Sequence, residues 1–356
     1  MRRNLMVEAL SLISSIFCRS TSLVHFFTMK TVKAAALSSA LGLLAATHAT
    51  TNNRPIIGIY SAPLEQHAPG CDGGCDYVAA SYVKWLESAG AESLPIRYNS
   101  SDDEVEAIFA QINGLLLPGG GAGLPSGAKH AVELAIEAND NGTYFPVWGT
   151  CLGFEWLLEI VAGGNVLDTG FDSENISLPL NLTATAATSR LLGTISSVPG
   201  HRDRSDASAT ALRADLSNND NPPAMNNHQA GITPHDFVSH EKLDSFFNVL
   251  STNKDRKDKE FVSMIEAQKY PIYGSQWHPE KNNFEWGMSH DGTPYEAINH
   301  SPEAVYCSQS LVNFFVGEAR RNTHSREVSD PSAKLFWDYA ISQVKSPEFQ
   351  QSYIIP

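Results

Sequence analysis

The sequence predicts an α/β fold in which a doubly wound, mainly parallel sheet is flanked by helices. Short apolar runs, typical of strands buried on both faces, alternate with amphipathic helical patterns from residue 54 onward. Small-residue segments directly follow two of these runs, at 118–121 and 149–153. Because ligands in such sheets bind at the carboxyl ends of the strands, both segments are expected to lie at that edge.

The first half of the chain supplies most of the predicted sheet. Residues 54–60 are rich in β-branched residues and predict a central strand. Residues 77–90 predict an amphipathic helix that a glycine ends, and Ser101 with Glu104 has the form of a capping box that opens the next helix. The remaining elements are strands at 91–96, 114–118 and 145–148, and helices at 101–112, 126–141 and 154–161.

The second half of the chain is less regular. Residues 168–227 hold polar repeats and a loop-like stretch at 202–223, which we interpret as peripheral insertions that wall a cleft. Strands are predicted at 246–250, 261–266 and 270–275, a closing helix at 302–318, and an ordered tail around 335–344. No repeat or second domain is evident, so residues 50–356 are expected to form one domain.

Composition narrows the class of protein. The chain has 356 residues, of which 42% are hydrophobic and 18% charged, and this is ample for an ordinary globular core. The formal net charge is −14, so the chain lacks the basic surface that nucleic acid requires. We therefore expect no nucleic acid partner.

The N-terminal segment has the pattern of a secretory signal peptide at residues 29–49. A basic start at Met29 leads into a short apolar run and ends at the small residue Ala49. The run is too short to span a bilayer, so no membrane span is expected in the mature chain. Residues 1–28 are interpreted as an upstream extension. Secretion also fits five N-x-S/T sequons, at Asn99, Asn141, Asn175, Asn181 and Asn299.

Four cysteines remain after the signal peptide. Cys71 and Cys75 lie in a glycine-rich loop, where a local disulfide is plausible in an oxidising compartment. No second cysteine or histidine pair lies near them, so a metal site is not expected. Cys307 falls in an apolar helical pattern and is predicted to be a core residue.

The strand-to-helix turn at 149–153 carries the strongest chemical signal. Gly149-Thr-Cys151-Leu-Gly153 is the thiol counterpart of the nucleophile elbow of hydrolases. Its two glycines would let neighbouring backbone pass close by, and a helix N-terminus beside Cys151 would favour the thiolate. The alternative is a buried structural cysteine, because free cysteines are among the most buried residues.

A cysteine nucleophile needs a base, and the base needs an orienting group. His278 and Glu280 follow the predicted strand at 270–275 and are two residues apart, so in extended backbone their side chains face the same way. The carboxylate would then hold one ring nitrogen while the other faces the thiol. For an isolated histidine, a satisfied surface or core position is the simpler interpretation.

The glycine run at 118–121 offers backbone N–H groups without side-chain obstruction. The N–H groups of Gly120 and Leu152 are candidates for an oxyanion hole. A plain turn is the alternative, and a phosphate-binding loop is disfavoured because its Lys-Ser/Thr pair is missing.

These motifs belong to longer stretches that resemble the class I glutamine amidotransferase-like superfamily. Within it the chain is similar to the γ-glutamyl hydrolases, the folylpolyglutamate hydrolases of peptidase family C26. The similar stretches are 54–59, 77–84, 86–90, 112–120, 145–155, 247–253, 270–281, 314–320 and 349–353. The resemblance implies a flavodoxin-like fold, with Cys151 as nucleophile, His278 as base and then proton donor, and Glu280 orienting His278.

The resemblance also implies a substrate class and a location. Folate polyglutamates would be cleaved at γ-glutamyl bonds through an acyl-enzyme, with no cofactor or metal, in a lysosomal, vacuolar or extracellular setting, by a glycosylated homodimer. His228 is the best match to a further cleft histidine of the family, and Lys281 or Arg97 would meet the polyanionic substrate. Two alternatives stay open, which are a glutaminase-type amidotransferase domain and an inactive secreted binding protein.

Overall fold

The computed structural model describes residues 51–64, 71, 74–326, 334–343 and 349–356. The predictions for residues 1–28 and for the signal peptide at 29–49 lie outside this set. Within it the strands are β1 (Ile56–Tyr60), β2 (Ala62–Pro63), β3 (Asp76–Ala79), β4 (Glu92–Ile96), β5 (Gly114–Leu117), β6 (Val147–Thr150), β7 (Ser173–Leu178), β8 (Asn181–Leu182), β9 (Ala224–His228), β10 (Phe247–Lys254), β11 (Glu260–Ala267), β12 (Ile272–Ser275), β13 (Ile341–Ser342) and β14 (Ser352–Ile355).

The helices alternate with these strands along the chain. They are α1 (Ala80–Ser88), α2 (Asp102–Phe109), α3 (Ser126–Asp140), α4 (Leu152–Ala162), α5 (Asp206–Leu216), α6 (Pro234–Ser239), α7 (Glu241–Phe246), α8 (Lys281–Phe284) and α9 (Pro302–Ala319). Two short 3₁₀ turns lie at Ala184–Thr188 and Phe336–Asp338.

A central sheet of eight strands has the order β4-β1-β5-β6-β12-β11-β10-β8. The first five strands pair in parallel, and the last three join as an antiparallel extension. Every residue of β1, β5, β6 and β12 is buried, as the continuous apolar runs predict for strands covered on both faces. The predicted doubly wound, mainly parallel fold class is confirmed.

Helices cover both faces of this sheet. On one face Trp148 of β6 packs between Trp85 of α1 and Phe315 of α9, with ring centroids 5.6 and 5.9 Å apart. On the other face α3 and α4 contribute buried side chains such as Val132, Phe154 and Leu157. Two apolar clusters therefore pack against the central sheet, one on each face.

Local signals set several element ends as predicted. Ser101 caps α2 in a capping box, because its side chain accepts from the Glu104 N–H while the Glu104 carboxylate accepts from the Ser101 N–H. Cys307 is fully buried in α9, which confirms the prediction of a core cysteine. Cys71 and Cys75 form a disulfide, so the local pairing is confirmed as well.

Two predicted elements were wrong. Residues 76–79 are the strand β3 rather than the first turn of a helix, because β14 and β2 pair with it on either side. The stretch at 202–223 was predicted as a loop, but it contains α5, whose N-cap Ser205 accepts from the Ser208 N–H. Among the described residues no helix is both long and apolar enough to cross a membrane.

Candidate active site

Cys151 stands at a sharp turn between β6 and α4. Its φ of 50° and ψ of −106° lie in a region that side-chain-bearing residues rarely adopt. A Cβ at Gly153 would lie 2.0 Å from the carbonyl oxygen of Leu117, and one at Gly149 would lie 2.5 Å from the carbonyl oxygen of Gly153. Both flanking glycines are therefore required by close backbone approach, as the sequence predicts.

His278 reaches the same edge from the neighbouring strand. β12 runs parallel to β6 with Ser275 opposite Thr150, and the Cys151 N–H continues the ladder by donating to the Ser275 carbonyl at 2.8 Å. His278 lies three residues beyond Ser275, and its N–H donates to the Met225 carbonyl at 2.8 Å. Parallel strand pairing thus brings together two residues that are far apart in sequence.

The His278 ring is held by a fully buried carboxylate. Its Nδ1 lies 2.7 Å from Oε1 of Glu280, which has no exposed surface. This contact leaves Nε2 as the ring nitrogen without a hydrogen-bond partner among the described residues. A Cβ placed at Gly119 would lie 2.6 Å from Cε1 of His278 and 3.3 Å from Cβ of Cys151, so imidazole and thiol flank the same glycine.

A cavity of about 550 Å³ opens at this point. Its walls come from the glycine loop, the elbow, the segment after β9 and the C-terminal tail, and they comprise Gly120, Gly121, Ala122, Gly123, Cys151, Leu152, Glu155, Glu174, Asn227, His228, Gln229, Ala230, His278, Lys281 and Phe349. The N–H groups of Gly120 and Leu152 make no backbone hydrogen bond within the described chain. Both candidate oxyanion donors therefore face a space that can hold a ligand.

Burial raises the pKa of the Cys151 thiol, and the nearby carboxyl of Glu155 raises it further. Lys281 and a hydrogen bond from the Leu152 N–H act in the opposite direction but are weaker. The helix N-terminus does favour the thiolate, as the sequence predicts, through the Leu152 N–H. Desolvation outweighs this effect, so the net shift of the thiol pKa is upward.

Glu155 lies one helical turn after Cys151 and is also buried. Burial raises the pKa of Glu155 to about 7, although a hydrogen bond of 2.9 Å from the Gln276 amide to its Oε1 partly opposes the shift. An ionisable carboxyl that titrates near neutrality thus lines the cavity within electrostatic reach of the thiol.

A family model described as peptidase C26 matches residues 55–280, which span the elbow, His278 and Glu280. The chain belongs to the peptidase C26 family. It is 42% identical to γ-glutamyl hydrolase of Mus musculus over 310 residues, which cover 85% of this chain and 90% of that protein. It is 39% identical to the Homo sapiens enzyme over 318 residues, covering 87% and 92%, and 40% identical to γ-glutamyl hydrolase B of Dictyostelium discoideum over 281 residues, covering 77% and 75%.

His228 lines the cavity of this peptidase C26 family member, but its ring is neutral. Burial lowers the pKa of His228 to about 4, and the nearby His278 lowers it further. Its Nδ1 lies 2.7 Å from the Ala230 carbonyl, to which it donates, and its ring packs edge-on against Phe261. Contact between His228 and a substrate carboxylate stays a prediction. Because the one N–H of the neutral ring donates to Ala230, the ring would have to gain a second proton before Nε2 could donate to that carboxylate.

Lys281 lies in the cavity wall, whereas Arg97 does not. The Lys281 ammonium is 2.6 Å from Oε1 of Glu296 and 4.9 Å from the centre of the Phe349 ring, and the residue is 1% exposed. A substrate carboxylate would have to share this ammonium with Glu296. Arg97 is exposed, donates to the Gly74 carbonyl and belongs to a different pocket.

Three residues of the site were missed in the sequence. Glu155 follows the elbow directly and its position four residues after Cys151 was a usable signal. Tyr82 lies on α1, and its hydroxyl is 2.8 Å from the Gly119 nitrogen and 3.3 Å from Nδ1 of His278. Phe349 comes from the tail, which β14 anchors beside β3. No local pattern marks Tyr82 or Phe349, because only tertiary packing brings Tyr82 against Gly119 and His278 and brings Phe349 into the cavity wall.

Proposed function

We propose that this protein is a cysteine-dependent γ-glutamyl hydrolase that cleaves folylpoly-γ-glutamates. The observation that carries the proposal is one cavity that holds a thiol on a nucleophile elbow, an imidazole fixed by a buried carboxylate, and two N–H groups that make no backbone hydrogen bond in the described chain. Membership of the peptidase C26 family and relatives named γ-glutamyl hydrolases support the bond type. The folate portion of the substrate is the more specific part of the proposal.

In the first half of the reaction, Nε2 of His278 takes the proton of the Cys151 thiol as the sulfur attacks the γ-carbonyl carbon. Glu280 stabilises the imidazolium that forms, through its contact with Nδ1. The carbonyl oxygen becomes negative and accepts from the N–H groups of Gly120 and Leu152. His278 then gives its proton to the amide nitrogen, the carbon–nitrogen bond breaks, and the amine product leaves a thioester on Cys151.

The second half of the reaction releases the acyl group. Water enters the vacated position and attacks the thioester carbon, while His278 takes one of its protons. The tetrahedral intermediate collapses with cleavage of the carbon–sulfur bond, and His278 returns the proton to the sulfur. The resting thiol is thereby restored. Because burial raises the thiol pKa, each cycle needs the proton transfer to His278 at the moment of attack.

Purified protein incubated with pteroylpenta-γ-glutamate tests the substrate. We expect shorter pteroylglutamates together with glutamate or short glutamyl chains, separated by liquid chromatography at several times. The order in which product lengths appear distinguishes removal of terminal residues from internal cleavage. A pteroyl peptide with α-linked glutamates is the control and should remain intact.

The same assay separates the two alternatives. Release of ammonia from free glutamine without shortening of the pteroyl chain would indicate a glutaminase. Tight binding of the pentaglutamate with no cleavage by the parent protein would indicate an inactive binding protein. Either result would contradict the proposed activity.

The proposal places the protein in a secretory or lysosomal-type lumen. The Cys71–Cys75 disulfide supports an oxidising compartment, and the signal pattern at 29–49 provides a route to it. Asn99 and Asn141 are exposed and make no side-chain hydrogen bond to other described residues, so they are the favoured glycan acceptors. Asn299 is half-buried and its amide donates to the Pro222 carbonyl, which disfavours modification there.

The amides of the two remaining sequons are engaged. The Asn175 amide donates to the Tyr295 carbonyl, and the Asn181 amide donates to the Thr252 hydroxyl oxygen. Mass spectrometry of the secreted protein before and after glycosidase treatment would rank all five sites. The homodimer implied by the resemblance stays a prediction, and light scattering on the purified chain tests it.

A further inference from the structure

The hydroxyl of Tyr82 contacts both the glycine loop, which offers an oxyanion donor, and the ring of the proposed base His278. Tyr82 lies on α1, in the helical layer beneath the sheet edge, and is 1% exposed. Its oxygen accepts from the Gly119 N–H at 2.8 Å, and it lies 3.3 Å from Nδ1 of His278. Gly119 immediately precedes Gly120, whose N–H is a candidate oxyanion donor. The Tyr82 hydroxyl therefore sits between the glycine loop and the histidine.

The position of the proton on the His278 ring decides which group the Tyr82 hydroxyl can donate to. The Nδ1 proton of His278 goes to Glu280 at 2.7 Å, so a protonated Nδ1 offers Tyr82 no acceptor. We assign the hydroxyl proton to the carboxylate of Glu280 instead, because that carboxylate holds Nδ1 of His278 and its charge acts on Tyr82. Burial and the charge of Glu280 raise the pKa of Tyr82 well above its ordinary value, so the hydroxyl remains a donor.

Glu280 has few other partners. The residue is fully buried, and its Oε2 has no hydrogen-bond partner in the described part of the chain. A buried carboxylate with an orphaned oxygen depends strongly on the donors that it does have. The observed donor is Nδ1–H of His278, and the Tyr82 hydroxyl is the second donor that we assign.

We propose that Tyr82 is a positioning residue that couples the oxyanion loop to the His278–Glu280 pair. The chain of hydrogen bonds runs from the Gly119 N–H to the Tyr82 oxygen, and from the Tyr82 hydroxyl to Glu280. It fixes the glycine loop relative to the base and spreads the negative charge of the carboxylate. This proposal rests on the proposed hydrolase function.

Substitution Tyr82→Phe removes the hydroxyl and keeps the ring, which also packs 6.4 Å from Phe349. We expect kcat to fall about 10- to 30-fold while KM changes less than about threefold, because the loss falls on transition-state geometry rather than on substrate contact. The acid limb of the kcat/KM profile should move to higher pH by about 0.5. Without the Tyr82 hydroxyl, the negative charge of the Glu280 carboxylate is less stabilised by other donors and holds the His278 proton more tightly.

Other charged groups near the pair are unchanged by this substitution. Those facing the hydroxyl, the carboxylate or the ring from neighbouring elements are Cys151, Glu155, His228, Lys281 and Glu285. A shift of the acid limb in the variant is therefore attributable to the lost hydroxyl.

Tyr60→Phe is the matched control. Tyr60 is also fully buried, but its hydroxyl has no partner among the described residues and does not line the cavity. We expect Tyr60→Phe to keep kcat within about twofold of the parent. Thermal unfolding of both variants shows whether the loss in Tyr82→Phe exceeds any general effect of deleting a buried hydroxyl.

A readout without substrate separates failure of this proposal from failure of the proposed function. The downfield proton resonance of the His278 Nδ1–H, assigned by its absence in His278→Asn, should shift in Tyr82→Phe and not in Tyr60→Phe. An unchanged resonance together with an unchanged kcat and acid limb would overturn the proposal. If the resonance shifts in Tyr82→Phe while the parent protein cleaves no γ-glutamyl bond, the hydrolase assignment is refuted instead.

A double variant tests whether Tyr82 acts through Glu280. Because Tyr82 acts through Glu280, adding Tyr82→Phe to Glu280→Gln should lower kcat by less than about threefold beyond Glu280→Gln alone. Full additivity of the two losses would show that Tyr82 acts elsewhere.

Discussion

Cys151 and Cys307 are both free and both buried, and burial raises the pKa of each thiol. Their backbones differ. Cys307 lies inside α9 in ordinary helical conformation, whereas Cys151 has a positive φ at the end of β6 and faces a cavity that also contains His278. Burial and thiol pKa therefore do not mark a candidate nucleophile in this chain. Position at the sheet edge and access to a base do.

Removing each sulfur gives the largest expected contrast. Cys151→Ala should lower kcat by about 10⁴-fold or more, because no other group in the cavity can form the acyl-enzyme. Cys307→Ala should keep kcat within about twofold and lower the free energy of unfolding by about 1 kcal/mol, because it leaves a small void in the core. Steady-state assays with the pentaglutamate and urea unfolding measure both effects. Near-parental activity in Cys151→Ala would sink the mechanism.

The backbone of the elbow can be tested apart from its chemistry. A Cβ in Gly153→Ala would meet the Leu117 carbonyl oxygen at 2.0 Å, so we expect a loss of more than about 3 kcal/mol in the free energy of unfolding. Gly164→Ala is the control, because a Cβ there meets nothing within 4 Å and its φ is not positive. Equal unfolding midpoints in urea for the two variants would show that the close approach is not needed.

Cys151 has the buried carboxyl of Glu155 nearby, whereas Glu155 does not act on Cys307, and this difference predicts a smaller, pH-dependent effect. The pKa of Glu155 is raised from 4.5 to about 7, so the carboxyl is neutral below that pH and becomes charged beside Cys151 above it. We expect kcat/KM to fall severalfold as pH rises through about 7, because the new charge opposes both the thiolate and an anionic substrate. In Glu155→Gln this decline should be absent.

The same carboxyl links pH to stability with a definite sign. A raised pKa means that the folded state binds the proton more tightly, so this contribution is present below pH 4.5 and is lost as pH rises to about 7. The loss is at most about 3 kcal/mol. Urea unfolding of parent and Glu155→Gln at several pH values checks it, and parallel curves would exclude Glu155 as the source.

The sequence predicts the parts of the molecule that rest on local signals. The apolar runs of β1, β5 and β6 gave the parallel sheet, and the glycines of the elbow gave the turn at Cys151. The β3 strand was missed because its partner β14 lies more than 270 residues away in the chain. The upward shift of the thiol pKa was not predicted, because helix position is visible in a sequence whereas depth of burial is not.

In the candidate site, too, the residues marked by local sequence signals were predicted and those placed by tertiary packing were not. His278 and Glu280 were predicted from spacing at a strand end, and the structure brings their side chains together at 2.7 Å, while their roles remain a proposal. Tyr82 and Phe349 were not predicted, because each packs against the site from an element that belongs to no motif. Site residues that come from a packed helix or from the tail can be identified only from the three-dimensional structure.

The unusual φ of residue 151 bears on how such an activity disappears in evolution. Glycine adopts positive φ without the steric cost that a side chain incurs, and that cost is about 1 kcal/mol or more. Exchange of this cysteine for glycine would remove that steric cost and, with it, the sulfur. In a duplicated gene freed from selection for hydrolysis, the backbone of the elbow would therefore not oppose loss of the nucleophile.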